Sequence, residues 1–328
     1  MRPLQWTALV LVIFGSLISP AAADNYPERP ITLTVPLAAG GGMDFIARTI
    51  GQKLSERLGK PVLIENRPGG GTIVATVAEA KAPPDGYSLL LVPGSTLTTN
   101  ATVYKSLPYD PRKDFVPIAV TSEVAFALVV NPSLPIHSIA ELIKYAKDKP
   151  GELIVGTSGI ATTTHLAGEI LANKTGIKLR YAHYRGSPPA MNDVIAGNVQ
   201  MMFADPVTGA ELAKAGKVRA LAVTSKHRIS IFPDLPPIAD TVPGYEATNW
   251  HMLLAPAHTP AEVVRKLNRE IARALLKPDV QQRLLAVGME TPPDHDPAEV
   301  AEFVRADVAR WTQLVEAVGL EKLKDGAQ

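Results

Sequence analysis

The sequence predicts an α/β protein with two doubly wound domains joined by a hinge. Along most of the 328 residues, short β-branched or apolar runs alternate with helical patterns, as in parallel sheets covered by helices. These strand–helix units form two sets, one ending near Val120 and one starting near Val124. The C-terminal helices have no strands of their own, so we expect them to pack on the first set. The predicted domains are residues 24–124 with 248–328, and residues 125–247.

The first strand–helix unit contains a glycine-rich turn. Residues Ile31–Val35 alternate as a buried strand does, and helical spacing of apolar residues follows Asp44 until Gly59. A turn that leads into a helix N-terminus presents free N–H groups and the positive end of the helix dipole, so it favours an anion. We therefore predict that this loop binds the carboxylate of a small molecule, with a ligand-free connection as the alternative. The predicted contact residues are Leu37, Ala39, Gly40, Gly41, Gly42, Met43 and Asp44.

A nucleotide is a poor candidate for this loop. It lacks the Lys-Ser/Thr ending of a phosphate-binding loop, and Phe45 occupies the position of the last glycine in a Gly-x-Gly-x-x-Gly pattern.

Composition excludes several other classes of protein. Residues 1–23 are typical of a cleaved signal peptide, with Arg2, an apolar run from Ala8 to Ile18, and small residues at Ala21–Ala23. Without this segment the basic residues fall from 33 to 32 and equal the 32 acidic residues, so no overall basic field favours nucleic acid. The chain has no cysteine, which excludes disulfides and thiolate metal sites. We predict a freely soluble protein exported to the periplasm, without a cofactor or metal.

The remaining elements follow in order. Pro61–Ile64 is a strand, Glu65–Gly71 is a second glycine turn, and a helix runs through Ile73. Tyr87–Val92 is an apolar strand whose end is followed by Ser95, where strands of an open sheet meet ligands. Further predicted strands are Val116–Val120, Val124–Val130, Leu153–Gly156, Leu179–Tyr184, Val199–Phe203 and Val218–Val223, and a proline-rich loop then returns the chain to Trp250–Ala255. Helices are predicted to start at the capping box Ser138–Glu141 and at the similar patterns Thr259–Glu262 and Asp296–Glu299.

The chain is expected to cross between the domains twice. The crossings are predicted at Thr121–Ala125 and near Tyr245–Trp250, which makes a hinge with a cleft beside it.

The second domain has its own polar turn before a helix. Its hydroxyl groups and N–H groups are predicted to bind the far end of the ligand, and simple helix capping is the alternative. The predicted contact residues of this turn are Thr157, Ser158, Gly159, Thr162 and Thr163. Asp205 follows a strand end and either accepts a hydrogen bond from a ligand hydroxyl or is an ordinary surface turn residue.

Patterns that would indicate an enzyme are incomplete. Gly156–Gly159 resembles the start of a nucleophile elbow, but Ile160 stands where the last glycine is required. His165 and Glu169 lie four residues apart on one helix face, yet no third metal ligand has a recognisable spacing.

Several stretches together resemble the Bug-type solute receptors of tripartite tricarboxylate transporters, which are periplasmic binding proteins. The matching stretches are Pro36–Asp44, Glu65–Gly71, Pro84–Tyr87, Leu107–Asp110, Tyr184–Gly186, Asp193 with Ala196–Gly197, Phe203–Asp205, Trp250 and Ala255–Pro260. The resemblance implies a type II periplasmic binding protein architecture, with two Rossmann-like domains that close on a carboxylated metabolite. It also implies that the glycine loop binds a ligand carboxylate through backbone amides and bridging water. Leu37 and Met43 depart from the usual aromatic and hydroxyl residues, which does not favour an amino-acid ligand or a very polar one.

We therefore expect a monomeric receptor that delivers a small organic carboxylate to a membrane transporter of the tripartite tricarboxylate type. The alternatives are an exported α/β hydrolase that uses the same cleft, and a receptor that presents its ligand to a membrane sensor kinase.

Overall fold

The computed structural model describes residues 25–291 and 297–319, so the predicted signal peptide lies outside the described residues. The strands are β1 (Ile31–Val35), β2 (Val62–Asn66), β3 (Ser88–Pro93), β4 (Phe115–Ala125), β5 (Ala127–Val130), β6 (Ile154–Thr157), β7 (Arg180–His183), β8 (Met201–Ala204), β9 (Arg219–Val223), β10 (Thr248–Pro256) and β11 (Met289–Glu290). The helices are α1 (Gly42–Leu58), α2 (Ile73–Ala80), α3 (Gly94–Leu97), α4 (Asn100–Val103), α5 (Ile139–Asp148), α6 (Thr163–Thr175), α7 (Ser187–Ala196), α8 (Pro206–Lys214), α9 (Ala261–Leu275), α10 (Pro278–Leu285) and α11 (Pro297–Val318).

These strands form two separate sheets. One has six strands in the order β11-β4-β10-β3-β1-β2, and the other has five in the order β7-β6-β8-β5-β9. We call the six-stranded sheet with its helices and loops the first lobe, and the five-stranded sheet with its helices and loops the second lobe. The residue boundaries predicted for the two domains stay a prediction.

The α/β fold is confirmed, but both sheets are mixed rather than wholly parallel. β1 is parallel to β2 and β3, but β10 is antiparallel to both of its neighbours, β3 and β4. In the second sheet, β6 is parallel to β7 and β8, while β5 is antiparallel to β8 and β9. The reversed strands β10 and β5 each enter their sheet directly after a crossing between the lobes, and the short strand β11 also runs antiparallel to β4.

The first crossing also differs from its predicted position. A break was expected at Thr121–Ala125, but β4 continues to Ala125, which is paired with Thr248 of β10. Two polar residues in this stretch, Thr121 and Ser122, do not interrupt the strand because their side chains bond to the neighbouring strand β10. Thr121 Oγ1 donates to the His251 carbonyl at 3.1 Å, and Ser122 Oγ lies 2.8 Å from His251 Nδ1. Phe126 is the single residue between β4 of the first sheet and β5 of the second sheet.

Packing around the first sheet follows the apolar patterns. The middle of β3 is fully buried, as expected for a strand covered on both faces. The C-terminal helices α9, α10 and α11 pack on this lobe, and α11 also contacts α6 of the second lobe. Trp250 Nε1 donates to Asp307 Oδ2 at 2.6 Å and so fastens α11 to β10.

One predicted cap is confirmed and another is wrong. Ser138 Oγ accepts from the Glu141 N–H at 3.1 Å at the start of α5. Thr259 does not cap α9, because its hydroxyl donates to the Pro256 carbonyl instead. Asp296 lies outside the described residues.

Candidate functional site

The two lobes enclose a small cavity of about 40 Å³. Its lining residues come from both lobes and are Leu37, Ala38, Gly41, Gly42, Met43, Pro93, Val124, Phe126, Ser158, Thr162, Thr163, Thr164, Ser187, Asp205, Asn249 and His251. The space accommodates only a few water molecules. A ligand of several carbon atoms therefore requires that the lobes separate or that lining side chains move.

Four helices begin at this cavity. Gly42, Thr163 and Ser187 are the first residues of α1, α6 and α7, and Asp205 is the N-cap of α8. The first N–H groups of a helix have no intrahelical acceptor, and each N-terminus carries a partial positive charge. No Lys or Arg is among the described residues that line the cavity. The positive potential therefore comes from backbone dipoles, which suits a ligand anion.

The side chain of Asp44, in the first turn of α1, holds part of the glycine loop in place. The Gly40 N–H donates to Asp44 Oδ2 at 3.0 Å, and Arg48 Nε donates to the same oxygen at 3.0 Å. Burial alone would raise the pKa of Asp44, but the hydrogen bonds from Arg48 and from the Gly40 N–H keep that pKa below its ordinary value. Asp44 and the Gly40 amide thus fix the shape of the loop. Ala39 and Gly40 are exposed and, like Asp44, do not line the cavity.

The other half of the loop faces the cavity. Leu37, Gly41, Gly42 and Met43 line it, and no side chain caps α1 at its N-cap residue Gly41. The first-turn amides of α1 are consequently left for another acceptor.

The polar turn before α6 forms a cluster of three hydroxyl groups. Ser158 Oγ lies 2.9 Å from Thr164 Oγ1 and 3.2 Å from Thr162 Oγ1, and the two threonine hydroxyls are 3.0 Å apart. Thr162 is the N-cap residue of α6, but its hydroxyl donates to the Gly159 carbonyl and makes no capping bond. Simple capping therefore does not account for the hydroxyls that face the cavity.

Three of the predicted residues lie behind the cavity wall. Thr157 is fully buried with its Oγ1 2.8 Å from His183 Nδ1, and Gly159 accepts from the Thr162 hydroxyl. Ser95 is buried in α3, where its carbonyl accepts from Thr99 Oγ1. None of the three lines the cavity. They support the loops that do.

Direct hydrogen bonds join the lobes around the cavity. The Ala38 N–H donates to the Arg185 carbonyl at 2.8 Å, and Thr99 Oγ1 donates to the Ala161 carbonyl at 3.1 Å. Thr163 Oγ1 also donates to Asn249 Oδ1 at 3.2 Å.

The sequence analysis missed a pair of polar residues on β10. Asn249 and His251 are two apart in an otherwise apolar strand, so they face the same side of the sheet, and both line the cavity. That spacing of polar residues was the available signal. The lining residues Ala38, Pro93, Val124, Phe126, Thr164 and Ser187 were also missed.

His251 is held as a neutral ring at physiological pH. Its Nδ1 contacts Ser122 Oγ, which leaves Nε2 as the ring nitrogen for a ligand contact. Burial lowers the pKa of His251 to about 4.

This depressed pKa predicts a loss of stability in acid. The unfolded imidazole takes up a proton near pH 6.5, whereas the folded one does so near pH 4, so the unfolded state binds more protons between these values. We expect His251 to reduce the free energy of unfolding by up to about 3 kcal/mol as the pH falls from 6.5 to 4. Urea unfolding of His251→Gln should show a correspondingly smaller fall over that range. The exposed His227→Gln is the control, and equal pH dependence in both variants and the wild type would contradict the assignment.

Within the described residues, no three His, Asp or Glu side chains are arranged to hold a metal, and no helix has the length and apolar character needed to span a membrane. His165 Nδ1 accepts from the Ala161 N–H, and its Nε2 lies 3.5 Å from Glu169, so this pair is part of the structure of α6.

One family model and several solved structures match this chain over most of its length. The sequence model of the family described as TctC, tripartite tricarboxylate transporter family receptor, matches residues 46–320. The structure of Rhodopseudomonas palustris Rpa4515 with adipate is 36% identical, with a TM-score of 0.87, over 91% of this chain and 100% of that one. The periplasmic binding protein BugD is 34% identical, with a TM-score of 0.87 and the same coverage. MatC from Rhodopseudomonas palustris, with bound malate, is 30% identical, with a TM-score of 0.85, over 88% of this chain and 100% of that one.

Proposed function

Because the chain belongs to the TctC family of tripartite tricarboxylate transporter receptors, we propose that it binds a small carboxylate between its lobes and delivers it to a membrane transporter of that type. The chain shares the two-domain type II architecture of periplasmic binding proteins, and it is a solute receptor rather than an enzyme. The observation that carries the proposal is the convergence of four helix N-termini on one cavity, with no Lys or Arg among its described lining residues. The adipate and malate in the two related structures support a carboxylate ligand.

The proposed contacts divide between the lobes. In the first lobe, the amides of Gly41, Gly42 and Met43 bind one end of the ligand, beside the apolar side chain of Leu37. In the second lobe, the hydroxyl cluster and the first amides of α6 bind the other end or a bridging water. The residues behind the cavity wall position these groups without touching the ligand.

Export is part of the same proposal. Removal of residues 1–23 would release a mature protein that starts at Asp24 in the periplasm, where a receptor meets its ligand before the membrane transporter does.

The hydroxyl cluster provides the test of this function. A thermal-shift screen over small carboxylates identifies ligands, and calorimetry then compares the wild type with Ser158→Ala/Thr164→Val. Each neutral hydrogen bond contributes about 0.5–1.5 kcal/mol, so the double variant should bind roughly ten- to hundredfold more weakly.

A matched hydroxyl outside the cavity serves as the control. Ser55 is hydrogen-bonded within the first lobe and does not line the cavity, so Ser55→Ala should bind as the wild type does. The proposal fails if no carboxylate stabilises the protein, or if the double variant keeps the wild-type affinity.

A further inference from the structure

Asp205 is the charged side chain among the described residues that line the cavity. It is only 5% exposed and stands at the end of β8 as the N-cap of α8. Thr208 donates its N–H to Asp205 Oδ1 at 3.1 Å and its hydroxyl to Oδ2. Each carboxylate oxygen can accept a further hydrogen bond. Within the described part of the chain, Asp205 forms no ion pair.

This carboxylate lies against the start of α1. Its Oδ1 is 3.3 Å from the point that a Cβ on Gly42 would occupy. The negative charge therefore stands close to the amides proposed to bind a ligand carboxylate. Like charges at such short range repel each other strongly, because the burial of Asp205 limits its screening by water.

The charge balance of the cavity limits what the ligand can carry. Each helix N-terminus contributes a partial charge of about +0.5, and Asp205 already offsets part of that total. His251 contributes no charge at neutral pH, and the other polar groups are hydroxyls and one amide. A ligand with a carboxylate at each end would bring two negative charges to a cavity whose lining, in the described part of the chain, has one carboxylate and no Lys or Arg side chain.

The free acceptor positions on Asp205 indicate the second group of the ligand. A buried carboxylate is stabilised by a donor that fills its remaining lone pairs. A hydroxyl supplies such a donor without charge. An ammonium group would form an ion pair with Asp205, but it would also have to lose its water beside the apolar side chains of Leu37 and Met43, so the uncharged hydroxyl is favoured.

We propose that the ligand is a hydroxy monocarboxylate with a short apolar body, whose hydroxyl donates to Asp205. Its single carboxylate is bound by the helix N-termini, and its carbon chain packs on Leu37, Met43 and Phe126. This inference rests on the proposed function and narrows the class of ligand.

The wild-type protein tests the inference directly. Calorimetry at pH 7.5 compares acids of equal carbon number: for four carbons, butanoate, 3-hydroxybutanoate, 3-aminobutanoate and butanedioate, with equivalent sets from three to eight carbons. In the set that binds best, the hydroxy acid should bind at least tenfold more tightly than the other three. Tighter binding of the plain acid, the amino acid or the dicarboxylate would overturn the inference while leaving the proposed function intact. No binding by any acid would overturn both.

Asp205→Asn supplies a second, independent measurement. Asparagine also caps helices well, so α8 keeps its N-cap while the negative charge is removed. The affinity for the dicarboxylate should rise, and the ratio of hydroxy acid to dicarboxylate affinity should fall at least tenfold. Asp234→Asn removes an exposed charge from the second lobe and should leave the ratio unchanged. An unchanged ratio in a folded Asp205→Asn would reject the proposed role of this carboxylate.

Discussion

Gly71→Ala is expected to weaken carboxylate binding by about a hundredfold, because it prevents the lobes from closing fully. Gly71 lies in the turn between β2 and α2, and a Cβ there would stand 2.2 Å from the Ile160 carbonyl oxygen of the second lobe. The obstacle is backbone, so it cannot rotate away as a side chain can. Forced overpacking costs about 1–3 kcal/mol, and about 1.4 kcal/mol corresponds to a tenfold change in affinity.

A matched glycine separates closure from backbone strain. Gly71 has φ of +59° and Gly59 has φ of +68°, so alanine at either position is strained, but a Cβ on Gly59 would have nothing within 4 Å. We expect the free energy of unfolding to fall by about 1 kcal/mol in both variants. Only Gly71→Ala should bind the carboxylate more weakly. Calorimetry measures the affinity, and small-angle scattering at saturating ligand should show a larger radius of gyration for Gly71→Ala. Equal affinities in the two variants would contradict a role for this contact in closure.

The largest loss of stability is expected from Trp250→Ala, at about 3–5 kcal/mol. The indole is 3% exposed, packs edge-on against Phe303 of α11, and fills the space over Gly94, where a Cβ would lie 2.6 Å from the ring. Its Nε1–H also donates to Asp307. Truncation therefore leaves a large hole between β10 and α11 and removes a buried hydrogen bond.

Trp250→Phe separates the contribution of apolar packing from that of the hydrogen bond to Asp307. Phenylalanine retains much of the apolar packing but cannot donate to Asp307, which still has its ion pair with Arg310 at 2.7 Å. We expect a loss of about 1–3 kcal/mol for this variant, measured by urea unfolding beside Trp250→Ala. A loss as large as that of Trp250→Ala would show that the hydrogen bond, not packing, dominates at this position.

Local patterns in the sequence predicted the parts of the fold that depend on neighbouring residues. The alternation in Ile31–Val35, the apolar run of β3 and the box at Ser138 each contain their own signal within a few residues. The direction of β10 could not be predicted in this way, because its partners β3 and β4 lie far away in the sequence. The continuous course of β4 through Thr121 and Ser122 depends on bonds to that same distant strand.

In the candidate site too, local patterns were predictable and the contacts between distant residues were not. The glycine loop and the hydroxyl turn were recognised because each directly precedes a helix. That Asp44 turns back to the Gly40 amide, and that Thr157 turns towards His183, depends on side-chain directions that spacing does not determine. The i, i+2 spacing of Asn249 and His251 in β10 marks them locally, but only the pairing of that strand brings them to the cavity.

The hydrogen bonds between the lobes affect how fast the receptor captures its ligand. The Ala38–Arg185 and Thr99–Ala161 bonds join protein groups to each other, so they favour the closed arrangement whether or not ligand is bound. A ligand then needs a smaller differential affinity to make the closed arrangement dominant. The same bonds raise the fraction of empty receptors that are closed and cannot admit a ligand. At low ligand concentration, capture is therefore slowed in proportion to the fraction of empty receptors that are open, and tight retention comes with a lower apparent association rate.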